Sequence, residues 1–375
     1  PDISDVSTIL RTMQSLGAQI RMINRSTVEI DPRHVNSFVV SKKMAEGMRA
    51  SSYFLGALLG RMLRARVAPP GGCDFGVRPI DQHIKGFEAL GAKMTIENGM
   101  VDAKAMSLTG CLIYLDVVSV GATINIMLAA AKADGLTIIE NAAREPHIVD
   151  LANFLNSMGA NIMGAGTGVI KIRGVKHLSG ADYSIIPDQI EAGTYMAAAV
   201  ATRGDILVTN VTPKHLESII AKLRETGAEI TEFDESVRVK MTHRPRKCNV
   251  KTMPHPGFPT DMQPQIAAVL SIADGTSIIT EGVWDSRFRY VEQLTFMGAD
   301  IQVDGKMAVI TGVECLKPSP VRAVDLRAGA AMIIAGLSAD GTTEIEEIDH
   351  IDRGYENVVE KFSALGADIK RVKSF

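Results

Sequence analysis

The chain is poor in the features that mark several common protein classes. Its 375 residues hold four cysteines, Cys73, Cys111, Cys248 and Cys315, with no close pairing and no metal-ligand spacing. A disulfide framework is not expected at this size, and a reducing cytoplasm fits the thiols better. Neither charge sign is in excess: 40 Lys and Arg against 43 Asp and Glu leave a formal net charge of −3. Such a surface attracts neither nucleic acid nor an anionic membrane as its main partner. The longest stretch free of charges and strong breaks runs from about Ala328 to Ala339, far short of a bilayer span. No cationic segment followed by an apolar run opens the chain, so no export signal is expected. No G-x-x-x-x-G-K followed by Ser or Thr occurs, nor a strand-linked G-x-G-x-x-G. Nucleoside-triphosphatase and dinucleotide-binding readings lose their usual support.

What is present is apolar material for large cores, with 46% hydrophobic and 22% charged residues. The length favours two domains. An internal repeat organises them. A phrase of one residue, Gly, Ala, a polar residue and Ile or Met recurs six times: LGAQI at Gly17, LGAKM at Gly91, MGANI at Gly159, TGAEI at Gly227, MGADI at Gly298 and LGADI at Gly366. The intervals are 74, 68, 68, 71 and 68 residues. Each phrase closes an amphipathic pattern such as IKGFEALGA or IIAKLRETGA, so its glycine is expected just past a helix end, followed by a short strand and a turn.

A second set of glycines, Gly135, Gly204, Gly275 and Gly341, opens the segments GLTIIEN, GDILVTN, GTSIITE and GTTEIEEI, read as strands. Before each lies a nearly all-apolar helical stretch, and a helix apolar on every side belongs inside a domain. The expected unit is buried helix, strand, loop, amphipathic helix, Gly-Ala, strand and turn. Six full units exceed the chain's 375 residues. The strand of the first unit would fall before Pro1, and an N-terminal segment is expected to be absent. A three-plus-three division gives domains 1–187 and 188–375, with the boundary near Pro187–Gln189.

The repeat isolates its exceptions. Arg78 lies 13 residues before Gly91, and Arg353 lies 13 before Gly366. Both are expected at the entry to an amphipathic helix, where free N–H groups favour anions. Asp261 lies 14 residues before Gly275, and Arg327 lies 14 before Gly341; Arg49 opens the corresponding helix of the second unit. Charges at the mouths of apolar helices need partners or ligands. Capping and ion pairing satisfy that need, but so many at equivalent ends favour a shared anion pocket. Cys73 follows Gly71 and Gly72 in a polar loop, where nearby Arg78 favours its thiolate. Cys111, within CLIYLDVV, is read as a small buried apolar residue. Arg61, Arg64 and Arg66, and the segment His243–Lys247, are read as solvated basic surface. His83 and His255 lack metal partners and are assigned structural roles.

Taken together, PGGCDFGVRPIDQH around Cys73, VSVGAT at Val118–Thr123, IIENAAREP at Ile138–Pro146, FPTDMQ at Phe258–Gln263, DLRAG at Asp325–Gly329 and HIDRGYE at His350–Glu356 resemble the UDP-N-acetylglucosamine enolpyruvyl transferases. The resemblance runs in order along essentially the whole chain. It implies two inside-out α/β barrel domains, three units each, with the active site in the cleft between them. It also implies a cytoplasmic enzyme of peptidoglycan synthesis that needs no cofactor or metal. That enzyme transfers enolpyruvyl from phosphoenolpyruvate to the sugar 3-hydroxyl and releases phosphate.

By the same resemblance, Cys73 protonates the methylene carbon of phosphoenolpyruvate and can form an adduct with it. Asp261 accepts the hydroxyl proton. Arg78, Arg327 and Arg353 clamp carboxylate and phosphate. The UDP-sugar falls to Arg49, to Arg78, Pro79, Ile80, Asp81 and Gln82, to Val117, Val118, Ser119 and Val120, and to Asp261 and Val283. Glu145 matches an acidic cleft residue of open role. Three features depart from the family. Its Lys-Asn pair for phosphoenolpyruvate belongs to the absent N-terminal segment, Val117 stands where many members carry lysine, and Gln189 where many carry arginine. An inactive paralogue or fragment that still binds the UDP-sugar is the alternative reading. The shikimate-pathway enolpyruvyl transferase is a further one, against which the Cys73 loop and FPTDMQ both speak.

Overall fold

The structure, a computed structural model, describes residues 1–45, 48–69 and 80–372, and only the backbone of Arg49. The chain divides into two units, Pro1–Ile186 and Pro187–Phe375, each with its own hydrophobic core.

The Gly-Ala phrase is a helix-terminating device used six times. All six glycines have positive φ, from +87° at Gly298 to +107° at Gly17, a region that costs glycine little. At the first, the Gly17 amide donates to the Gln14 carbonyl and the Ala18 amide to Met13. The same pair of bonds recurs at Gly91, Gly159, Gly227, Gly298 and Gly366, as Schellman closures that satisfy two otherwise orphaned carbonyls each.

After the phrase the chain makes a full hairpin in five of six cases, where the sequence pattern suggested one strand and a turn. Lys93–Glu97 pairs with Met100–Lys104, and Asn161–Met163 with Val169–Arg173. In four of these five hairpins, all but the one after Gly17, the second strand joins the sheet's centre. It lies antiparallel to the strand after the central helix, as Met100–Lys104 does to Arg64–Val67. A short parallel strand completes each four-stranded sheet: Val39–Val40, Leu112–Tyr114 and Val250–Lys251. The sixth repeat departs most. Its expected strand GTTEIEEI shrinks to Ile345–Glu346, ended by Glu347 at φ +58°, and no described strand pairs with LGADI.

The apolar helices are central and the sheets lie outside them, the inside-out α/β arrangement. In the C-terminal unit Gln189–Thr202, Gln263–Ser271 and Leu326–Ser338 each pack on the other two. In the N-terminal unit Tyr53–Met62 crosses Val120–Ala130 closely. A Cβ on Gly56 would stand 2.3 Å from the Asn125 carbonyl oxygen, so only glycine permits the approach. The Gly56 amide also donates to Asn125 Oδ1 at 2.8 Å, which satisfies both groups inside the core. Among the described residues no helix is long and apolar enough to cross a membrane.

Two expectations, one of burial and one of exposure, need correction. Cys111 is partly exposed and not a core residue, because only Ile113 of the adjoining Leu112–Tyr114 strand points inward; its thiol donates to the Ala89 carbonyl. Arg244, in the segment read as solvated basic surface, instead donates to the carbonyls of Ile272, Ala273, Gly312 and Val313 at 2.8–3.2 Å. One guanidinium thus closes a helix end and a strand end together, a use that its planar fork of donors suits.

Candidate functional site

Cys73, Arg78 and Pro79 lie outside the described residues, as does the side chain of Arg49, whose backbone opens the turn Arg49–Ser52. The remaining candidates fall into two groups, one in each unit.

In the N-terminal unit Ile80 precedes the helix Asp81–Ala89 and Asp81 begins it. Gln82, 5% exposed, holds this helix start to the segment before Val117. Its Nε2 donates to Asp116 Oδ2 at 3.1 Å and to Asp81 Oδ2 at 2.8 Å, while its Oε1 accepts from the Asp116 amide at 2.9 Å. Lys85 Nζ meets the other Asp116 oxygen at 2.7 Å. The bonds from Lys85 and Gln82 keep the Asp116 carboxyl below the usual carboxylate range. The two stretches that the resemblance assigned to the UDP-sugar, Ile80–Gln82 and Val117–Val120, are thereby brought together.

Val117 and Val118 are exposed apolar residues on this loop. Ser119 caps the next helix, its side chain accepting from the Ala122 amide, and Val120 is that helix's first residue. His83 is buried beneath, close enough to Gly121 that a Cβ there would lie 2.9 Å from its Nε2. Burial pushes its pKa down to about 4 against the opposing pull of Asp81, so the ring is neutral at pH 7. Glu145 immediately precedes the helix Pro146–Ser157.

The C-terminal group is charged. Asp325 caps Leu326–Ser338, accepting from the Arg327 and Ala328 amides, and so sets Arg327 on the first turn. Asp261 lies in the turn Thr260–Met262 that leads into Gln263–Ser271. Arg327 Nε is 3.3 Å from Asp261 Oδ2, and Arg287 Nη2 is 3.3 Å from Asp261 Oδ1. The carboxylate, 37% exposed, therefore stands between a buried guanidinium (Arg287, 1%) and a mostly buried one (Arg327, 14%). Burial opposes charge on Arg327, but the nearby carboxylates of Asp261 and Asp188 and the hydrogen bond to Tyr355 outweigh it and keep the guanidinium charged.

Glu281, 1% exposed, braces the same region. It accepts from Thr260 Oγ1 at 3.0 Å and from the amides of Val283 and Trp284, tying the Val283 turn to the residue before Asp261. Gln189 begins its helix behind the cap Asp188. Arg353 is not at the entry to the amphipathic helix, as its offset suggested. It ends the short helix Asp349–Asp352; the chain then turns through Gly354, buries Tyr355 and reverses at Asn357 (φ +50°) before Val358–Ala364 begins. A break in the helical path separates Arg353 from the helix it was expected to open.

Three members of this arrangement escaped the sequence reading. Arg287 lies 11 residues before its repeat glycine, Gly298, instead of the 13 shared by Arg78 and Arg353, so equal offsets do not single it out. Asp116 was signalled only as the one acid within an apolar run. Glu281 had no signal beyond its place at a strand end.

The family model of EPSP synthase (3-phosphoshikimate 1-carboxyvinyltransferase) matches residues 1–362. The chain is 56% identical over 373 residues to UDP-N-acetylglucosamine 1-carboxyvinyltransferase 3 of Caldanaerobacter subterraneus subsp. tengcongensis, covering 100% of this chain and 89% of that protein. It is 55% identical to UDP-N-acetylglucosamine 1-carboxyvinyltransferase of Clostridium botulinum, covering 99% and 89%. Among solved structures it is similar to the enolpyruvyl transferase NikO from Streptomyces tendae, with a TM-score of 0.88, 26% identity and coverage of 99% and 88%. EPSP synthase from Acinetobacter baumannii, at 18% identity and a TM-score of 0.73 over 96% and 86%, shares the fold.

Proposed function

The chain belongs to the enolpyruvyl transferase family, and within it to the UDP-N-acetylglucosamine 1-carboxyvinyltransferases; from that premise we propose how its residues carry the reaction. It moves the enolpyruvyl group of phosphoenolpyruvate onto the 3-hydroxyl of UDP-N-acetylglucosamine, an opening step of peptidoglycan synthesis. In the addition step the sugar oxygen bonds to C2 of phosphoenolpyruvate, C3 gains a proton and the hydroxyl loses one. In the elimination step C3 loses a proton, the C2–O bond to phosphate breaks and the double bond returns.

Asp261 takes the hydroxyl proton, and the observation that supports this role is its carboxylate between two guanidiniums. The two guanidiniums fix the position of the carboxylate that would receive the proton. Arg327 serves two purposes: it orients Asp261 and adds positive charge where phosphate charge must be held. Arg353 and Arg78 complete the anion clamp, and Cys73 is the acid at C3. Ile80–Gln82, with Arg49, Arg78 and Pro79, and Val117–Val120 hold the nucleotide-sugar, while Val283 contacts it from the Glu281-braced turn.

Phosphate release from the full chain given both substrates is the test. Turnover that Cys73→Ala abolishes, together with covalent labelling of Cys73 by the epoxide fosfomycin, supports the reading. Binding of the UDP-sugar with no phosphate released would instead make this a binding paralogue.

A further inference from the structure

Behind the Asp261–Arg327 pair lies a chain of buried hydroxyls whose donors and acceptors run in one direction. Thr194, 1% exposed, donates its only hydroxyl hydrogen to the Ile190 carbonyl one helical turn back, at 2.8 Å. Its oxygen must then accept from Tyr355 OH, 2.8 Å away, and it also accepts from Gln265 Nε2 at 3.2 Å. The phenol hydrogen is thereby committed to Thr194, which leaves the phenol oxygen as an acceptor toward Arg327 Nη1 at 3.3 Å. The Arg327 guanidinium also lies 5.6 Å from the Tyr355 ring centre, within cation–π range. Burial raises the phenol pKa, so Tyr355 stays neutral and keeps that hydrogen.

The network draws on all three central helices: Thr194 from the first, Gln265 from the second and Arg327 from the third. Tyr355 belongs to none of them. It stands two residues after Arg353, so one side chain links the Arg353 turn to the mouth of the helical core.

We propose that Tyr355, fixed by Thr194, is a positioning residue that sets the Arg327 guanidinium against Asp261 and into the anion clamp. The proposal rests on the functional reading above. Its physical basis is the order of the hydrogen bonds. A long, flexible arginine held through Nε by a half-exposed carboxylate can still swing, and a second anchor at Nη1 removes that freedom before substrate arrives. Interior hydroxyl chains polarise one another, so loss of any link weakens the bond at Arg327.

The test compares Tyr355→Phe, Thr194→Val and Thr194→Ser in the full chain. Tyr355→Phe keeps ring and volume and removes one oxygen. Its kcat/KM for phosphoenolpyruvate should fall about tenfold, as loss of one hydrogen bond to a charged group predicts, with the KM for the UDP-sugar unchanged. Thr194→Val should match it, the double variant should lose little more, and Thr194→Ser should restore wild-type rates because the hydroxyl remains. Unchanged kcat/KM in Tyr355→Phe, or additive losses in the double variant, would overturn the proposal.

A second readout does not need turnover. In protein labelled with ¹⁵N at the arginine Nε, the Arg327 signal, assigned through Arg327→Lys, should exchange with water faster in Tyr355→Phe and Thr194→Val, and at the wild-type rate in Thr194→Ser. Equal exchange in all four proteins sinks the positioning role even if the enzyme is active. An inactive wild type with the expected exchange pattern sinks the functional reading and leaves the positioning role standing.

Discussion

The two units solve one problem, holding loop residues in register at a helix mouth, with different chemistry. In the N-terminal unit a neutral amide does it: buried Gln82 bridges Asp81 and Asp116, and the charges it touches face water. In the C-terminal unit ions do it: buried Arg287 and largely buried Arg327 converge on Asp261. The difference agrees with the roles proposed for the two mouths. A neutral link sets geometry without adding a field, which suits the nucleotide-sugar grip proposed for this surface. A buried cation pair sets geometry and also surrounds the carboxylate with positive charge, which suits the proton and phosphate transfer proposed there.

The sharpest way to break this contrast is Asp261→Asn, which retains shape and removes the basic group. Its kcat should fall by about 10²- to 10⁴-fold, the usual size of a general-base contribution, while calorimetric binding of the UDP-sugar persists. A kcat within a factor of two of wild type would erase the functional half of the comparison.

The neutral mouth has a titrating liability in His83. Its folded pKa of about 4 lies below the unfolded value near 6.5, so the unfolded state takes up the proton first. Stability from this group is therefore full above about pH 6.5, declines as pH falls toward about 4 and is flat below, a loss of about 3 kcal/mol. Urea midpoints measured from pH 8 to pH 4 should fall more steeply in wild type than in His83→Gln. Parallel curves would show that the ring is not held neutral.

A smaller effect is expected for Gln82→Leu. It preserves volume but strips the Asp116 amide of its acceptor, so stability should drop by about 1–2 kcal/mol. The KM for the UDP-sugar should rise with kcat unchanged, the signature of lost uniform binding. A fall in kcat at constant KM would place Gln82 with the reacting groups and blur the distinction between the units.

The smallest effect belongs to Lys85→Met, because the Lys85–Asp116 pair is solvent-exposed and screened. The lowered Asp116 pKa means that its contribution is present above the ordinary carboxylate pKa and lost as pH falls through the lowered folded value. The variant should differ from wild type only through a slightly flatter acid limb of its stability profile at low salt, a difference that added salt should erase.

Much of the fold was legible because it repeats. Gly17 and its five equivalents could be placed just past helix ends from spacing alone, and all six close their helices with the same two bonds. The pairing strands were less legible. VIKIR at Val169–Arg173 alternates buried and exposed as a strand should, yet nothing local says that it inserts between its hairpin partner and the earlier strand Leu136–Glu140. In the site, equal offsets from the repeat glycines singled out Asp261 and Arg327, and the structure puts them in contact. Arg287 was lost to a two-residue slip in offset, and Arg244 read as surface because a basic run looks the same whether its donors face water or four carbonyls.

By itself the sequence determined the unit, its six-fold recurrence, the apolar helices that must be buried and the family to which they belong, because periodicity and glycine conformation are local properties. Only the tertiary structure decided which polar groups meet. Asp261 to Arg287, Gln82 to Asp116 and Tyr355 to Thr194 span 26, 34 and 161 residues of chain. Those pairings exist because packed helices bring distant ends within hydrogen-bond reach, and no spacing rule along the chain encodes that closeness.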